Sequence, residues 1–327
     1  MISYILKRLL QFIPTFLGIT LIVFILIHLV PGKPTIPGAD LNVKTSLDFY
    51  EKIKKIYGLD KPLLIQYLLW LKKVLTFDFG VSISDNRPVI EKIKERAGIT
   101  LIINLIAIIL IFLIGGFIGI VGALKRGKFF DNFTTVLVFI GYSVPSFWFA
   151  LLCIQFFCVR LQIFPVSGVH SLNYEALSFL GKIKDFLWHI SLPVLVTCFG
   201  ALAGITRYFR QSLIEVLNKE FVIALKAKGL PKKRLLFSHI LKNALLPIIT
   251  LIGLSIPGLL GGSVIFESIF SIPGMGKLFY EAVMMRDYFL IMGLLTIGAI
   301  LTFLGNLIAD ICYALVDPRI KYQKPKV

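Results

Sequence analysis

Six stretches of this chain are apolar enough, over enough residues, to cross a lipid bilayer. They fall near 9–30, 99–124, 133–158, 188–206, 244–265 and 288–316. A span needs roughly 20 apolar residues, because the hydrocarbon core is about 30 Å thick and a helix rises about 1.5 Å per residue. Within hydrocarbon every backbone N–H and C=O must be satisfied by protein, so each run reads as a helix. The expected fold class is therefore all-α and polytopic, with six transmembrane helices. Composition agrees, since 57% of the 327 residues are hydrophobic and only 16% are charged, more apolar surface than a soluble domain of this size could hide. The fourth run is short and holds Pro193 and Gly200, which packed spans tolerate. The sixth is long enough to tilt.

The charge pattern orients these spans. The formal net charge is +17. In a soluble protein that excess would suggest nucleic acid, but here it clusters in short segments beside apolar runs. Lys7 and Arg8 precede the first span, and Lys125, Arg126 and Lys128 follow the second. Arg207, Arg210, Lys219, Lys226, Lys228, Lys232, Lys233, Arg234 and Lys242 lie between the fourth and fifth, and Arg319, Lys321, Lys324 and Lys326 form the tail. With six spans all of them fall on one side, which the positive-inside rule makes the cytoplasm, with both termini inside. Topology and anionic lipid explain the charge, and nucleic acid is not an expected partner. The apolar run Leu9–Val30 is too long for the core of a signal peptide and no small-residue cleavage site follows it, so it reads as a retained first span.

The opposite-side loops are 31–98, 159–187 and 266–287. The first carries apolar residues at helical spacing over Ser46–Tyr57 and Leu63–Val74, with Pro62 suited to a first turn, and a third basic–acidic stretch over Val89–Arg96. Three short helices packed on the outer membrane face are expected there.

The chain offers no catalytic or metal constellation. SIPGMGKL, ending at Leu278, imitates the end of a phosphate loop but has Ser271 where the first glycine should stand and Leu278 in place of Ser/Thr. Cys153, Cys158, Cys198 and Cys312 all lie in apolar runs and read as buried, inert thiols; His28, His170, His189 and His239 are scattered. Asn306 and Asp310 stand one turn apart on the sixth run. A carboxylate there is a functional candidate by default, but its place near the cytoplasmic end favours a structural role with a basic partner over proton relay. Glu267 and Arg160 sit at outer span ends, within reach of water. A self-sufficient secondary transporter or channel is the alternative reading. It would need coupling groups or a selectivity ring in the membrane, and no ladder of acids crosses the spans.

Glycines recur at small-xxx-small spacing in the second run (Gly115, Gly116, Gly119, Gly122) and the fifth (Gly253, Gly258, Gly261, Gly262), which lets helices approach closely. In the fifth run Pro257 precedes GLLGGS and should loosen the helix near mid-membrane. Ser255, Pro257, Gly258, Gly261, Gly262 and Ser263 are then candidates either for lining a translocation path or for plain packing.

The stretch Glu220–Pro247, EFVIALKAKGLPKKRLLFSHILKNALLP, is the exception to the apolar pattern. Phe221, Ala224, Leu225 and Lys228 share one face of a short helix that begins at Glu220. Gly229 suits a left-handed cap and Pro231 the start of a second helix, which runs through His239 into the fifth span. The apolar face is small, with Ala224 and Ala227 rather than large anchors. That favours a protein partner over a lipid surface.

Those residues resemble the EAA loop of ABC-importer permeases, in the branch that imports dipeptides, oligopeptides and nickel. Glu220, Ala224, Gly229 and Pro247 occupy places similar to the loop's Glu-Ala-Ala, glycine and leucine–proline elements. Phe221 and Val222 depart from the triplet. The resemblance extends through KRLLQFIPTFLGITLIVFILIHLVPG, YGLDKPLLIQYLLWL, FESIFSIPGMGKLFYEAVMMRDY and ADICYALVDPRIKY. FPVSG from Phe164 and DFLWHISLPVL from Asp185 are closest to the microcin/oligopeptide subgroup. The resemblance implies a type I ABC-importer permease (MetI-like) fold in a bacterial or archaeal cell membrane. It divides the chain into a first helix and outer loop (1–98), a five-helix core with a coupling loop at about 211–243 (99–316), and a cytoplasmic tail (317–327). It implies a second, similar permease chain, two ATPase subunits that carry ATP and Mg, and an extracytoplasmic binding protein that selects the substrate. This chain would hold no cofactor. Its coupling residues would be Glu220, Phe221, Ala224, Leu225, Lys228, Gly229 and Pro231, and transport would proceed by alternating access.

Overall fold

The computed structural model describes residues 2–29, 61–256 and 258–316, with side chains from Arg8 to Ile311. Among them the chain is helical, with one isolated antiparallel bridge between Val81 and Pro88. Four helices are long and apolar enough to span by themselves: α1 (Ile2–Leu29), α3 (Val89–Leu124), α6 (Phe179–Leu217) and α14 (Tyr288–Val316). Between the first two lies α2 (Leu63–Leu75). The two remaining spans are bent pairs, so six is reached only when each pair counts as one.

The first bent pair corrects the expectation of one continuous third span over 133–158. Helix α4 (Phe129–Ser143) stops at Val144, and α5 (Ser146–Cys153) leaves at 100° to it, continuing as a π-helical turn over Ile154–Arg160. The cause is Pro145. Its ring disfavours the helical conformation at the preceding residue, and Val144 is extended at φ −85°, ψ 122°.

The second bent pair is the fifth span. Helix α7 (Glu220–Ala227) precedes it, and α8 (Lys232–Leu235) passes through a π turn, Leu236–Ile240, into α9 (Leu241–Ala244). A bend of 47° follows at Leu245. Helix α10 (Leu246–Ser255) then ends, α11 (Gly258–Gly261) is a single turn, and α12 (Val264–Ile269) and α13 (Met275–Met284) complete the segment. The expected loosening is therefore present. Pro257 itself lies outside the described residues, as do the Ser46–Tyr57 stretch and the tail from 317.

The outer loop differs from expectation in one respect. Val89–Arg96 is not a separate short helix but the first turns of α3, whose 36 residues make it roughly 54 Å long. Gly98 stands where this stretch meets the apolar run. A single helical glycine costs about 1 kcal/mol, and its Cβ position is empty, so nothing forces a break. Helix α6 likewise extends beyond the apolar run at both ends and carries Pro193 in its interior.

The chain divides into two compact units. One comprises Met1–Thr100, Leu260–Val264 and Pro273–Leu304; the other Leu101–Leu259, Ile265–Ile272 and Gly305–Val327. The first has an aromatic-rich core of Phe16, Phe24, Tyr67, Trp70, Phe79 and Phe289. There α2 is pinned to α1 by hydrogen bonds between Thr20 and Tyr67 (3.1 Å) and between His28 and Gln66 (3.1 Å). Asp287, 1% exposed, accepts from the Ser82 hydroxyl, the Ser84 amide and the Leu290 amide. In the second unit the glycines of α3 face α6. A Cβ on Gly119 would lie 2.6 Å from the Thr206 carbonyl oxygen and 2.7 Å from Phe209 Cβ. Leu113, Phe117, Leu137 and Phe139 meanwhile point outward, as lipid-facing or partner-facing positions of a span do.

Candidate functional site

Helix α7 is built from a few local rules. Glu220 places a carboxylate in its first turn, where the helix dipole favours negative charge. Gly229 sits at φ +76°. The Leu230 amide donates to the Leu225 carbonyl (3.3 Å) and the Gly229 amide to that of Lys226 (3.0 Å), the two bonds of a Schellman cap. Pro231 caps the start of α8 at φ −62°, ψ 139°. The turn that the sequence places at 229–231 is therefore present. The first helix, at eight residues, is about 12 Å long.

The faces of α7 divide differently from the sequence expectation. Phe221 and Leu225 are half-buried, and Val222 is 0% exposed. All three belong to a cluster with Ile120 and Ala123 of α3, Leu213, Ile214 and Val216 of α6, and Leu235, Ile240 and Ala244 of α8, the π turn and α9. Phe221 and Leu225 thus anchor the helix to its own chain. The outward residues are Glu220, Ile223, Ala224, Lys226, Ala227, Lys228 and Gly229. Ile223 is 61% exposed and Phe237, in the following π turn, 65%. Sequence reasoning missed both. Their signal was two large apolar side chains set among Lys226, Lys228, Lys232, Lys233 and Arg234, all exposed.

The stretch of α6 leading into α7 holds an ion pair with a buried carboxylate that sequence reasoning also missed. Asp131, 2% exposed, accepts from Arg210 Nε at 2.6 Å and from a terminal guanidinium nitrogen of Arg210 at 2.9 Å. Its second oxygen also accepts the Gly127 amide at 2.9 Å. Its signal was an acid in the first turn of α4 within an otherwise basic loop. Above it Thr134, Thr135, Tyr142 and Thr206 line a cavity of about 480 Å³ together with Arg207 and Arg210.

The loosened fifth span separates the remaining candidates. The freed carbonyls of Gly258 and Leu259 are met by Asn104 Nδ2 at 3.2 and 3.0 Å, so the break is held by a side chain of α3. Gly258 and Gly261 are exposed, and a Cβ at either would meet nothing within 4 Å. Close packing therefore does not explain them, whereas it does explain Gly253, whose Cβ would lie 2.8 Å from Ala309 Cβ. Gly262 is left-handed at φ +63°. Ser255 is half-buried and donates to the Leu251 carbonyl (2.8 Å). Ser263 lies in a packed position, because a Cβ on Gly276 would come within 2.5 Å of its carbonyl carbon. On α14, Asn306 is exposed and Asp310 half-buried. Glu267 is 6% exposed, which corrects the expectation that it reaches water; Arg160 is exposed as expected. Among the described residues no three His, Cys, Asp or Glu side chains are grouped to hold a metal. Cys153, Cys158 and Cys198 are buried free thiols.

Comparison with known proteins agrees with this architecture. The chain is 42% identical over 323 residues to the oligopeptide transport system permease protein AppB of Bacillus subtilis, covering 98% of this chain and all of that one. It is 35% identical over 341 residues to the dipeptide transport system permease protein DppB of Escherichia coli K12, covering 99% of this chain and all of that one. In fold it is similar to a chain of the MetNI methionine ABC transporter solved in inward-facing conformations. The TM-score is 0.54 at 18% identity, over 70% of this chain and 97% of that one. Residues 1–106 match the N-terminal membrane component of binding-protein-dependent transport systems. Residues 115–322 match the inner membrane component of the same systems. The chain belongs to the family of binding-protein-dependent transport system inner membrane components, the membrane subunits of ATP-driven importers.

Proposed function

We propose that this chain is one half of the pore of a peptide importer and that α7 is its coupling helix. A second permease chain completes the pore, two ATPase subunits bind the cytoplasmic face, and an extracytoplasmic binding protein delivers and selects the substrate. Both termini lie in the cytoplasm. The relatives named for oligopeptide and dipeptide transport support peptide as the cargo class.

One observation carries the mechanism. Val222, Phe221 and Leu225 lock α7 into a cluster that joins the inner ends of α3 and α6 to the helices leading into the fifth span. A force applied to the exposed face of α7 is therefore delivered to three spans at once. ATP binding closes the ATPase pair, α7 moves with it as a rigid lever, and the spans reorient around a central path. The energy enters as a difference in the contacts of one helix between two states. Gly258, Gly261, Gly262 and the carbonyls beside them are the elements of this chain proposed for the path. Ser255 and Ser263 have the weaker claim because both are engaged within the fold. A secondary transporter is disfavoured because the buried Asp131 and Asp287 are both held by donors of this chain.

A cysteine at Ala224 or Lys228 tests this reading. Cys153, Cys158 and Cys198 are buried, so with Cys312 replaced by Ser an introduced thiol at an exposed site reacts selectively. It should crosslink to a co-expressed ATPase subunit. Labelling of these positions only from outside the cell would overturn the assignment. Peptide uptake with the cognate binding protein tests the cargo class.

A further inference from the structure

We infer that the Asp131–Arg210 ion pair is the joint through which the coupling helix drives the third span. This inference rests on α7 being the coupling helix.

The cluster that anchors α7 takes residues from α3, from α6 and from the segment α8 to α9, and none from α4. Yet α4 supplies Thr134, Thr135, Val138, Phe139 and Tyr142 to the 480 Å³ cavity. Any motion imposed on α7 must reach this helix through a neighbour. Two neighbours qualify: α3, which leads into α4 through residues 125–128, and α6, which continues into α7 through a single turn at Asn218 and Lys219; of the two, α6 supplies the charged partner of Asp131. Arg210 lies three residues before Leu213, the first α6 residue of the anchoring cluster, so it rides on the same rigid stretch as the lever.

The geometry of the pair suits a joint. It is bidentate, which fixes direction as well as distance. The carboxylate that receives Arg210 also receives the Gly127 amide, so one group ties the loop before α4, the first turn of α4 and α6 together. Glycine at 122 leaves room beside it, where a Cβ would lie 3.4 Å from Asp131 Oδ1. Higher up, α4 meets α6 at Gly141, beside Ala203 and Phe199, and at Tyr142, whose hydroxyl lies 3.3 Å from where a Cβ on Gly204 would stand. Neither contact is an ion pair, and a two-pronged charged contact fixes register more tightly than these. The carboxylate is buried while the guanidinium is partly exposed, and it is the buried acid that is costly to leave without its partner. That is the property of a part selected for registration rather than for cohesion.

The test uses the whole complex, with both permease chains, the ATPases and the binding protein, in proteoliposomes. Asp131→Asn and Arg210→Gln should each lower peptide uptake per ATP hydrolysed by about tenfold, within the range of typical coupling energies. Co-purification of the partners and basal ATP hydrolysis should stay near wild type. The exchange Asp131→Arg with Arg210→Asp, and separately Asp131→Glu, should recover part of the uptake. Wild-type uptake per ATP in both single variants would overturn the proposal. So would loss of assembly and hydrolysis together in the single variants without recovery in Asp131→Glu or in the exchange, since that is the signature of a merely structural pair. Gly229→Val, measured in parallel, separates the two readings. If it is uncoupled while Asp131→Asn is normal, only the joint fails. If Gly229→Val is normal, the coupling-helix reading fails and the joint falls with it.

Discussion

Gly229 shows how one residue sets the shape of the connector before the fifth span. Its Cβ position is empty, so a side chain would not collide with anything. The constraint is the backbone, held at φ +76°, where an L-residue pays roughly 1–2 kcal/mol and a β-branched one more. Gly229→Val should therefore cripple uptake while membrane abundance stays unchanged. Gly229→Asn should retain much more activity, because asparagine visits this region. Equal uptake by the two variants would mean that the cap is not what matters. Gly119 is the opposite case, with a normal helical φ and no space. Gly119→Ala pushes a methyl to within 2.6 Å of the Thr206 carbonyl oxygen and should destabilise the purified protein by about 1–3 kcal/mol, the usual cost of overpacking. Gly258→Ala meets nothing and should leave the melting temperature of the detergent-solubilised chain almost unchanged. An effect on transport without an effect on melting would mark Gly258 as part of the path.

At the scale of elements, two joints depend on polar side chains. Asn104 satisfies the carbonyls of Gly258 and Leu259 where the fifth span is interrupted. Asn104→Leu leaves both without that donor, and losing a typical hydrogen bond costs about 0.5–1.5 kcal/mol. The expected result is a lower melting temperature and faster proteolysis near 257–262. In the segment before the second span, Lys92 at the start of α3 donates to Ser82 and pairs with Asp85 at 2.9 Å. Burial works against ionisation of Asp85, but hydrogen bonds from Lys92 and the Arg87 amide outweigh it and hold the carboxyl below its ordinary 3.8. A carboxyl depressed by folding stabilises the fold above its unfolded pKa and loses that contribution as pH falls through the lowered value. The stability difference between wild type and Asp85→Asn should therefore stay constant from about pH 5 to 8 and shrink only below about pH 4. A difference that changes near neutrality would show that another group controls this corner. The amphipathic split of α7 is an element property of the same kind. Ile223→Asp should weaken ATPase association and leave the isolated chain folded, because Ile223 is exposed. Val222→Asp should unfold the cluster that anchors α7, because Val222 is fully buried.

At the scale of the whole molecule, the sequence made the six apolar segments legible, four of which are single helices long enough to span and two of which are bent pairs. A run of apolar residues must become a helix wherever it meets hydrocarbon, whatever surrounds it. The kink at Gly229, the start of α8 beyond Pro231 and the loosening after Ser255 were legible for a similar reason, since glycine and proline restrict or free the backbone locally. The break at Val144 was available in the same way from Pro145, but a continuous apolar run obscured it. What tertiary structure alone decided is which side of each helix finds a partner. Hydrophobicity put Phe221 and Leu225 on the docking face with Ala224; packing against α3, α6 and the helices leading into the fifth span turned them inward and left Ile223 outside. Asp131 and Arg210 are 79 residues apart, and Glu267 is buried at a position that the sequence placed in reach of water. Periodicity reports how a segment behaves toward its solvent. It carries no information about which distant side chain will be there to meet it, and the joints of this permease consist of such meetings.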